Sequence, residues 1–239
     1  MRTPVTDGGA FTLLIPVFNE APNLARTLEQ VDTLREGVGK RMRVVLVDDG
    51  STDGSGEVLD AWAEGRDGVR LLRFRRNRGL HSALLEGFRA ADTTVVVTTE
   101  AHLQHDPWVL PALASRLDVT TDVVCGRRTR RNDPLWRRAG SKALNSLLRR
   151  LSGLRVHDVA CLVKAWRRET GIEAFRDPAF AHWLRTLVRS RLAEVNIDFS
   201  RAREGRSSYG AVRLSRLAAE ALLAAVRFKL ENTRAGRAG

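Results

Sequence analysis

Val44-Val45-Leu46-Val47-Asp48-Asp49-Gly50-Ser51 is the stretch that decides how this chain folds. An apolar, largely β-branched run without polar alternation reads as a strand buried on both faces of a parallel sheet. Two adjacent carboxylates at the C-terminal end of such a strand are costly unless partners or a ligand meet them. In open α/β sheets that edge is where ligands bind. Asp, Gly and Ser suit a turn and a helix cap equally well. Alone, the run therefore leaves both a turn and a binding site open.

Its neighbours extend the pattern. Phe11-Thr12-Leu13-Leu14-Ile15-Pro16-Val17-Phe18-Asn19-Glu20 is a second apolar strand ending in a polar pair. Pro22 and Asn23 then open a helical pattern with Leu24, Leu28 and Val31 on one face. Arg35 to Arg41 reads as the loop that follows. Downstream come Asn77-Arg78-Gly79, a helix through Gly87 and the strand Thr94-Val95-Val96-Val97. Strand, helix, strand, helix, strand is the rhythm of a mostly parallel α/β sheet flanked by helices.

The ordered motifs resemble family 2 glycosyltransferases of the GT-A fold, and most closely the branch that makes dolichol-phosphate and polyprenyl-phosphate sugars. The resemblance covers roughly residues 10 to 210. It implies that Pro16, Asn19, Glu20, Asp48, Asp49 and Arg78 bind the nucleotide of a nucleotide-sugar donor. It also implies an Asp-x-Asp motif that holds a divalent cation, Mn²⁺ or Mg²⁺. Here the matching segment is Glu100-Ala101-His102-Leu103-Gln104-His105-Asp106-Pro107, so glutamate and histidine replace both aspartates. Glu100, His102 and Gln104 can still ligate a cation, but an imidazole favours softer ions than magnesium. Asp106-Pro107 reads as a helix entry.

On the acceptor side, Gly126-Arg127-Arg128 follows the apolar run Val123-Val124-Cys125, and Arg127 to Pro134 reads as a charged loop. Arg137, Ser141 and Asn145 then share a helix face at i, i+4 and i+8. A guanidinium and a hydroxyl on one face suit a phosphate monoester. The resemblance implies that Arg137 and Ser141 hold a lipid phosphate, with Arg138 competing for that place. Asp158, Lys164 and Arg168 match the family's next block, and Asp158 reads as an orienting or salt-bridging residue. Arg203, in Arg201-Ala202-Arg203-Glu204-Gly205-Arg206-Ser207-Ser208-Tyr209, matches a segment expected to close over the diphosphate or the acceptor. Family members that glycosylate a sugar hydroxyl often carry a Glu-Asp base and a Gln-x-x-Arg-Trp helix, and this sequence has neither. A hydroxyl acceptor needs a general base. A phosphate acceptor is already ionised, with a second pKa of about 6. The implied reaction is therefore sugar transfer to a polyprenyl phosphate with inversion. The alternatives are a glycosyltransferase of specialised metabolism with a small-molecule acceptor, and a non-catalytic homologue with a decayed metal site.

Bulk properties fit that frame. The 239 residues suit one large domain with an appendage: residues 1–205, then a basic C-terminal helix and tail over 206–239. Cys125 and Cys161 lack metal spacing and read as reduced thiols of a cytoplasmic protein. Residues 1 to 10 hold no signal-peptide core. The net charge is +12, and only Lys40, Lys142, Lys164 and Lys229 are lysines. Anionic ligands, an anionic membrane and nucleic acid all suit such charge. No zinc-finger spacing, RNA-binding aromatic signature or heptad-bearing basic helix accompanies it, which sets nucleic acid aside. Residues 211 to 230 form an amphipathic pattern in which Arg213, Arg216, Arg227 and Lys229 interrupt any membrane-spanning run. Such a helix fits the inner face of a membrane, its own domain or an oligomer interface.

Overall fold

The computed structural model describes residues 9–130, 135–199 and 211–235, except the side chains of 136, 137, 211–217 and 231–235. Its strands are β1 (Phe11–Val17), β2 (Met42–Asp48), β3 (Val69–Arg73), β4 (Val95–Thr98), β5 (Val123–Thr129), β6 (Lys164–Arg167) and β7 (Leu192–Asp198). They form one sheet in the order β3-β2-β1-β4-β6-β5-β7. Every pairing is parallel except those of β6, which runs antiparallel to β4 and β5. Helices α1 (Ala21–Val38) and α2 (Ser55–Ala63) carry the chain outward from β1 to β2 to β3. Helix α3 (Leu80–Ala90) brings it back to β4 on the other side of β1. The direction of winding therefore reverses between β1 and β4, which opens a crevice at their C-terminal ends.

Alternation along β1 divides the core. Leu13, Ile15 and Val17 pack with Leu24, Leu28 and Val31 of α1, Leu59 of α2 and Leu110 of α4 (Val109–Ser115). On the opposite face, Leu14 packs with Leu84 and Phe88 of α3, Leu148 of α5 (Leu135–Ser152) and Phe175 of α6 (Arg168–Phe175). The same cluster takes Leu184 of α7 (Phe180–Arg189) and Ala225 of α8 (Ala211–Ala235). A Cβ at Gly87 would stand 2.2 Å from the Leu14 side chain, so glycine there lets α3 settle onto β1.

Pro16 sits inside a central strand, where proline removes a ladder donor. The carbonyl of Leu14 accepts the Thr99 N–H on the β4 side, and residue 16 is the next position whose amide faces that way. Registered pairing with β4 ends at Leu14–Thr98. The proline thus falls where the ladder stops and the crevice begins.

Several boundaries differ from the sequence expectation. Helix α1 continues to Val38 and is followed directly by a 3-10 turn over Gly39–Arg41, so the expected loop 35–41 is helical throughout. Arg127 and Arg128 belong to β5, paired with β7, rather than to a loop, while residues 131–134 lie outside the described residues. Helix α4 starts at Val109, preceded by a turn in which the Asp106 carboxylate accepts the Trp108 N–H at 3.1 Å. Strands β3 and β6 escape the apolar reading because arginine or lysine interrupts them.

Candidate functional site

Three loops meet at the crevice, and their own side chains stitch them together. Asn19 adopts φ 53°, a left-handed conformation in which asparagine is enriched. Its N–H donates to Ser51 Oγ at 3.0 Å, and its Oδ1 accepts the Thr52 N–H at 2.8 Å. The Glu20 N–H donates to Ser55 Oγ at 3.0 Å, and the Ala21 N–H donates to Asp53 Oδ2 at 3.0 Å. Burial works against ionisation of Asp53, yet the hydroxyl and N–H of Ser55 and the Ala21 N–H hold it below the usual carboxylate range. The loop after β1 is thereby fixed to the loop after β2.

Asp48 and Asp49 are both buried, and each has its own partners. Asp48 Oδ1 accepts the Ser51 N–H at 2.9 Å, and its Oδ2 lies 3.2 Å from Arg73 Nε. Arg73 also reaches Asp60 at 3.0 Å and the Gly56 carbonyl at 2.6 Å. Asp49 accepts the N–H groups of Arg78 at 2.6 Å and Gly79 at 2.9 Å, and Asn77 Nδ2 at 3.1 Å. Burial raises its pKa, and the Arg78 and Gly79 amides pull back against that rise. Gly50, at φ +73°, lies so close to the third loop that a Cβ would stand 2.4 Å from the Arg76 carbonyl carbon. The Arg78 guanidinium stacks 4.5 Å above the Phe74 ring. Between these loops lies a cleft of about 510 Å³ lined by Phe18, Asp48, Arg73, Phe74, Arg76 and Asn77. Its apolar rings and cationic rim suit a nucleotide. Phe18, Arg73 and Phe74 were not singled out from sequence. Arg73 was detectable only as a cation ending an edge strand.

The loop after β4 is different. Leu103 is fully buried and anchors it, and Thr27 Oγ1 donates to the Ala101 carbonyl at 2.8 Å. Glu100 Oε2 and His102 Nδ1 are buried without a hydrogen-bond partner. His102 Nδ1 lies 3.4 Å from Glu20 Oε1, an ion-pair distance only for a protonated ring. Asn23 Nδ2 donates to the other oxygen of Glu20 at 2.8 Å. One oxygen and one nitrogen left bare at the two metal-motif positions fit a divalent cation. Among the described residues no three His, Cys, Asp or Glu side chains form a group that could hold a metal ion. Gln104 is half-buried two residues on. His105 is fully buried, with Nδ1 donating to the Asp106 carbonyl and Nε2 3.0 Å from Thr99 Oγ1, which makes it a structural residue.

The acceptor helix is α5. Ser141 and Arg138 are half-buried, Arg137 lies in the helix with its side chain outside the described residues, and Arg203 lies outside them altogether. Asn145 Nδ2 donates to Ser141 Oγ at 3.4 Å, and Asn145 Oδ1 accepts the Val159 N–H at 3.0 Å. Beside it, Arg128 grips Asp158 with two bonds, Nε to Oδ2 at 2.7 Å and Nη2 to Oδ1 at 2.8 Å. Burial opposes both charges, but the pairing wins: the Asp158 carboxyl is held low and the Arg128 guanidinium high. Two residues of the matched block serve the scaffold. Lys164 buries its ammonium on the carbonyls of Val159 and Cys161, and Arg168 donates to those of Phe88 and Arg89 at the end of α3. Burial pushes the free thiols of Cys125 to about 11 and Cys161 to about 12, so neither is a nucleophile at neutral pH.

Residues 12–172 match the model of glycosyl transferase family 2. An undecaprenyl-phosphate 4-deoxy-4-formamido-L-arabinose transferase of Pseudomonas paraeruginosa is 34% identical over 211 residues, covering 86% of this chain and 62% of that protein. The transferase of the same name from Salmonella paratyphi B is 31% identical, covering 86% and 64%. The chain thus spans just under two thirds of the length of these relatives. Among solved structures, mannosyl-3-phosphoglycerate synthase from Rubrobacter xylanophilus superposes with a TM-score of 0.67 at 16% identity, over 94% of this chain and 75% of that one. Glucosyl-3-phosphoglycerate synthase from Mycobacterium tuberculosis, solved with Mn²⁺, UDP and glucosyl-3-phosphoglycerate, gives 0.62 at 18% identity, over 92% and 79%. The sheet with its antiparallel β6 is the GT-A fold of these structures, and the chain belongs to glycosyl transferase family 2.

Proposed function

We propose that this protein transfers a sugar, with inversion, from a nucleotide-sugar donor to a polyprenyl phosphate. The observation that carries this reading is the crevice itself. One wall presents a nucleotide-sized cleft, the loop after β4 leaves two ligand atoms bare, and α5 stands beside a buried Arg128–Asp158 pair. The curated relatives that match are named for undecaprenyl phosphate, which supports the acceptor class. In this reading Asn19, Glu20, Asp48, Asp49 and Arg78, with Pro16 opening the sheet, hold and frame the nucleotide. Arg203 reaches the diphosphate. Arg137, Arg138 and Ser141 orient the acceptor phosphate oxygen toward the anomeric carbon, and no base is required because that oxygen is already ionised.

Glu100, His102 and Gln104 would hold a divalent cation, with Mn²⁺ favoured over Mg²⁺ by the imidazole. When bound, such an ion neutralises charge on the departing nucleoside diphosphate. Arg78 supplies fixed positive charge without reorganisation.

The C-terminal helix supports a place at the inner, anionic face of a membrane. It packs on α5 and α7 through Ala221, Ala224 and Ala225 and leaves Leu223, Val226 and Leu230 exposed beside Arg227. Among the described residues no helix is long and apolar enough to cross a bilayer. The test is transfer of label from a panel of nucleoside-diphosphate sugars to a short-chain polyprenyl phosphate and, in parallel, to hydroxyl acceptors. Lipid-linked sugar is the expected product. Transfer confined to hydroxyl acceptors, or none with any donor, overturns the proposal.

A further inference from the structure

We propose that Arg127 and the imidazolium form of His157 make an anion subsite for the acceptor phosphate, the ring donating Nδ1–H to Glu194 and Nε2–H to the phosphate. This rests on the acceptor reading above. Neither residue figures in the motifs already discussed as a phosphate ligand. Glu194, on β7, accepts three hydrogen bonds from one loop: the N–H of His157 at 2.5 Å, His157 Nδ1 at 2.7 Å and the N–H of Asp158 at 3.1 Å. Glu194 thus fixes a proton on Nδ1 and leaves Nε2 as the second nitrogen, which donates when the ring is an imidazolium, the form that pairs with the adjacent carboxylate. The His157 side chain is 43% exposed and that of Glu194 only 15%, so the ring is reachable while its support is sheltered.

Arg127 stands on the same ground. Side chains two apart on a strand share a face, so Arg127 lies on the face of Cys125. The β5–β7 register sets Cys125 opposite Glu194 and Arg127 opposite Asn196. That face is covered by α5 and by the loop before β6, because Cys125 shares a buried cluster with Leu148, Val156 and Val159. Arg127 is exposed and its side chain makes no hydrogen bond or ion pair among the described residues. The loop that carries His157 is tied to the acceptor helix by Val159 and Asn145, and Asn145 touches Ser141.

The surrounding charges favour an anion. Asp158 is already neutralised by Arg128, and Glu194 spends its charge on two amides and the imidazole. Arg130 leans toward Asp198 at 3.5 Å, farther along the same strands. What remains presented is one guanidinium and one imidazole nitrogen. A phosphate monoester, with several acceptor oxygens, matches both.

The test uses the full chain, with inorganic phosphate and a short-chain polyprenyl phosphate as probes. Nitrogen NMR of the imidazoles should show His157 Nε2 shifting as phosphate is added. In His157→Leu and Arg127→Gln the acceptor KM should rise about tenfold to a hundredfold, the span of a charge-assisted hydrogen bond, with donor hydrolysis unchanged. His157→Gln keeps a donor and should recover part of that loss. Normal transfer by the parent with His157 unmoved by phosphate overturns the subsite alone. Loss of kcat in both His157 variants at constant KM also overturns it, because the ring would then be a base. Phosphate binding at His157 without transfer to the lipid phosphate leaves the subsite standing and overturns the acceptor reading.

Discussion

The loops after β2 and β4, the two strands that flank β1, both carry acidic residues at strand ends, yet they are built on opposite principles. After β2, every carboxylate oxygen with a recorded contact serves the scaffold: Asp48 takes Ser51 and Arg73, and Asp49 takes the amides that open α3. After β4, Glu100 Oε2 and His102 Nδ1 are buried and bare. A buried polar group without a partner costs about 1–3 kcal/mol. Of the two loops, only the one after β4 carries that cost. Satisfied carboxylates brace the loop after β2, whereas the bare oxygen and nitrogen after β4 brace nothing.

The contrast breaks most sharply at the most deeply engaged pair. Arg128→Ala would strip both guanidinium bonds from buried Asp158, and breaking such a pair costs about 3–5 kcal/mol. Urea unfolding should show that loss, and a change below about 1 kcal/mol would mean that solvent already reaches the pair. Asp49→Ala comes next. It strands the Arg78 and Gly79 amides, so a loss of about 2–3 kcal/mol is expected together with weaker nucleoside-diphosphate binding. Weaker binding at an unchanged thermal midpoint would make Asp49 a direct ligand rather than a brace.

Much of this contrast is hidden in sequence for a physical reason. The parallel strands β1, β2 and β4 are legible because burial on both faces demands uninterrupted apolar runs. Strand β3 is half-exposed at the sheet edge and carries Arg70 and Arg73, which blurs its period. The positions of Asp48, Asp49, Glu100 and His102 at strand ends follow from the motifs. Whether each is satisfied depends on residues far along the chain, such as Asn77, 28 positions on, for Asp49. Local pattern cannot supply those pairings. The same holds for Lys164 and Arg168, whose family-matched positions turn out to hold backbone carbonyls, and for Glu194, which sits on an edge strand.

A third variant sharpens the comparison from the other side. Glu100→Gln removes charge from a bare carboxylate, so metal-free stability should change by less than about 0.5 kcal/mol or rise. Mn²⁺ affinity, read by calorimetry in the presence of nucleoside diphosphate, should fall more than tenfold. His102→Asp should instead move preference toward Mg²⁺, because a hard oxygen replaces an imidazole nitrogen. Equal Mn²⁺ binding in the parent and both variants would place the cation elsewhere.

The smallest effect expected is a pH dependence with two opposing signs. Asp158 has its pKa lowered in the folded state, chiefly because the Arg128 bonds overcome burial. Its contribution is therefore complete above the unfolded carboxyl value of about 3.9 and is lost as pH falls through the lower folded value. Asp49 is shifted upward by burial, so its contribution is complete below about 3.9 and is lost as pH rises through its folded value. On acidification from neutrality, protonation of Asp49 should come first and slightly offset the general acid loss. Protonation of Asp158 should follow below about pH 4 and steepen it. Chemical denaturation across pH 3 to 7 reads both limbs. Asp158→Asn should flatten the steep acid limb, and Asp49→Asn should remove the offset above it. A steep limb that survives in Asp158→Asn would assign acid sensitivity to other carboxylates, and Asp122, gripped by Arg191 at 2.8 Å, would be the next to substitute.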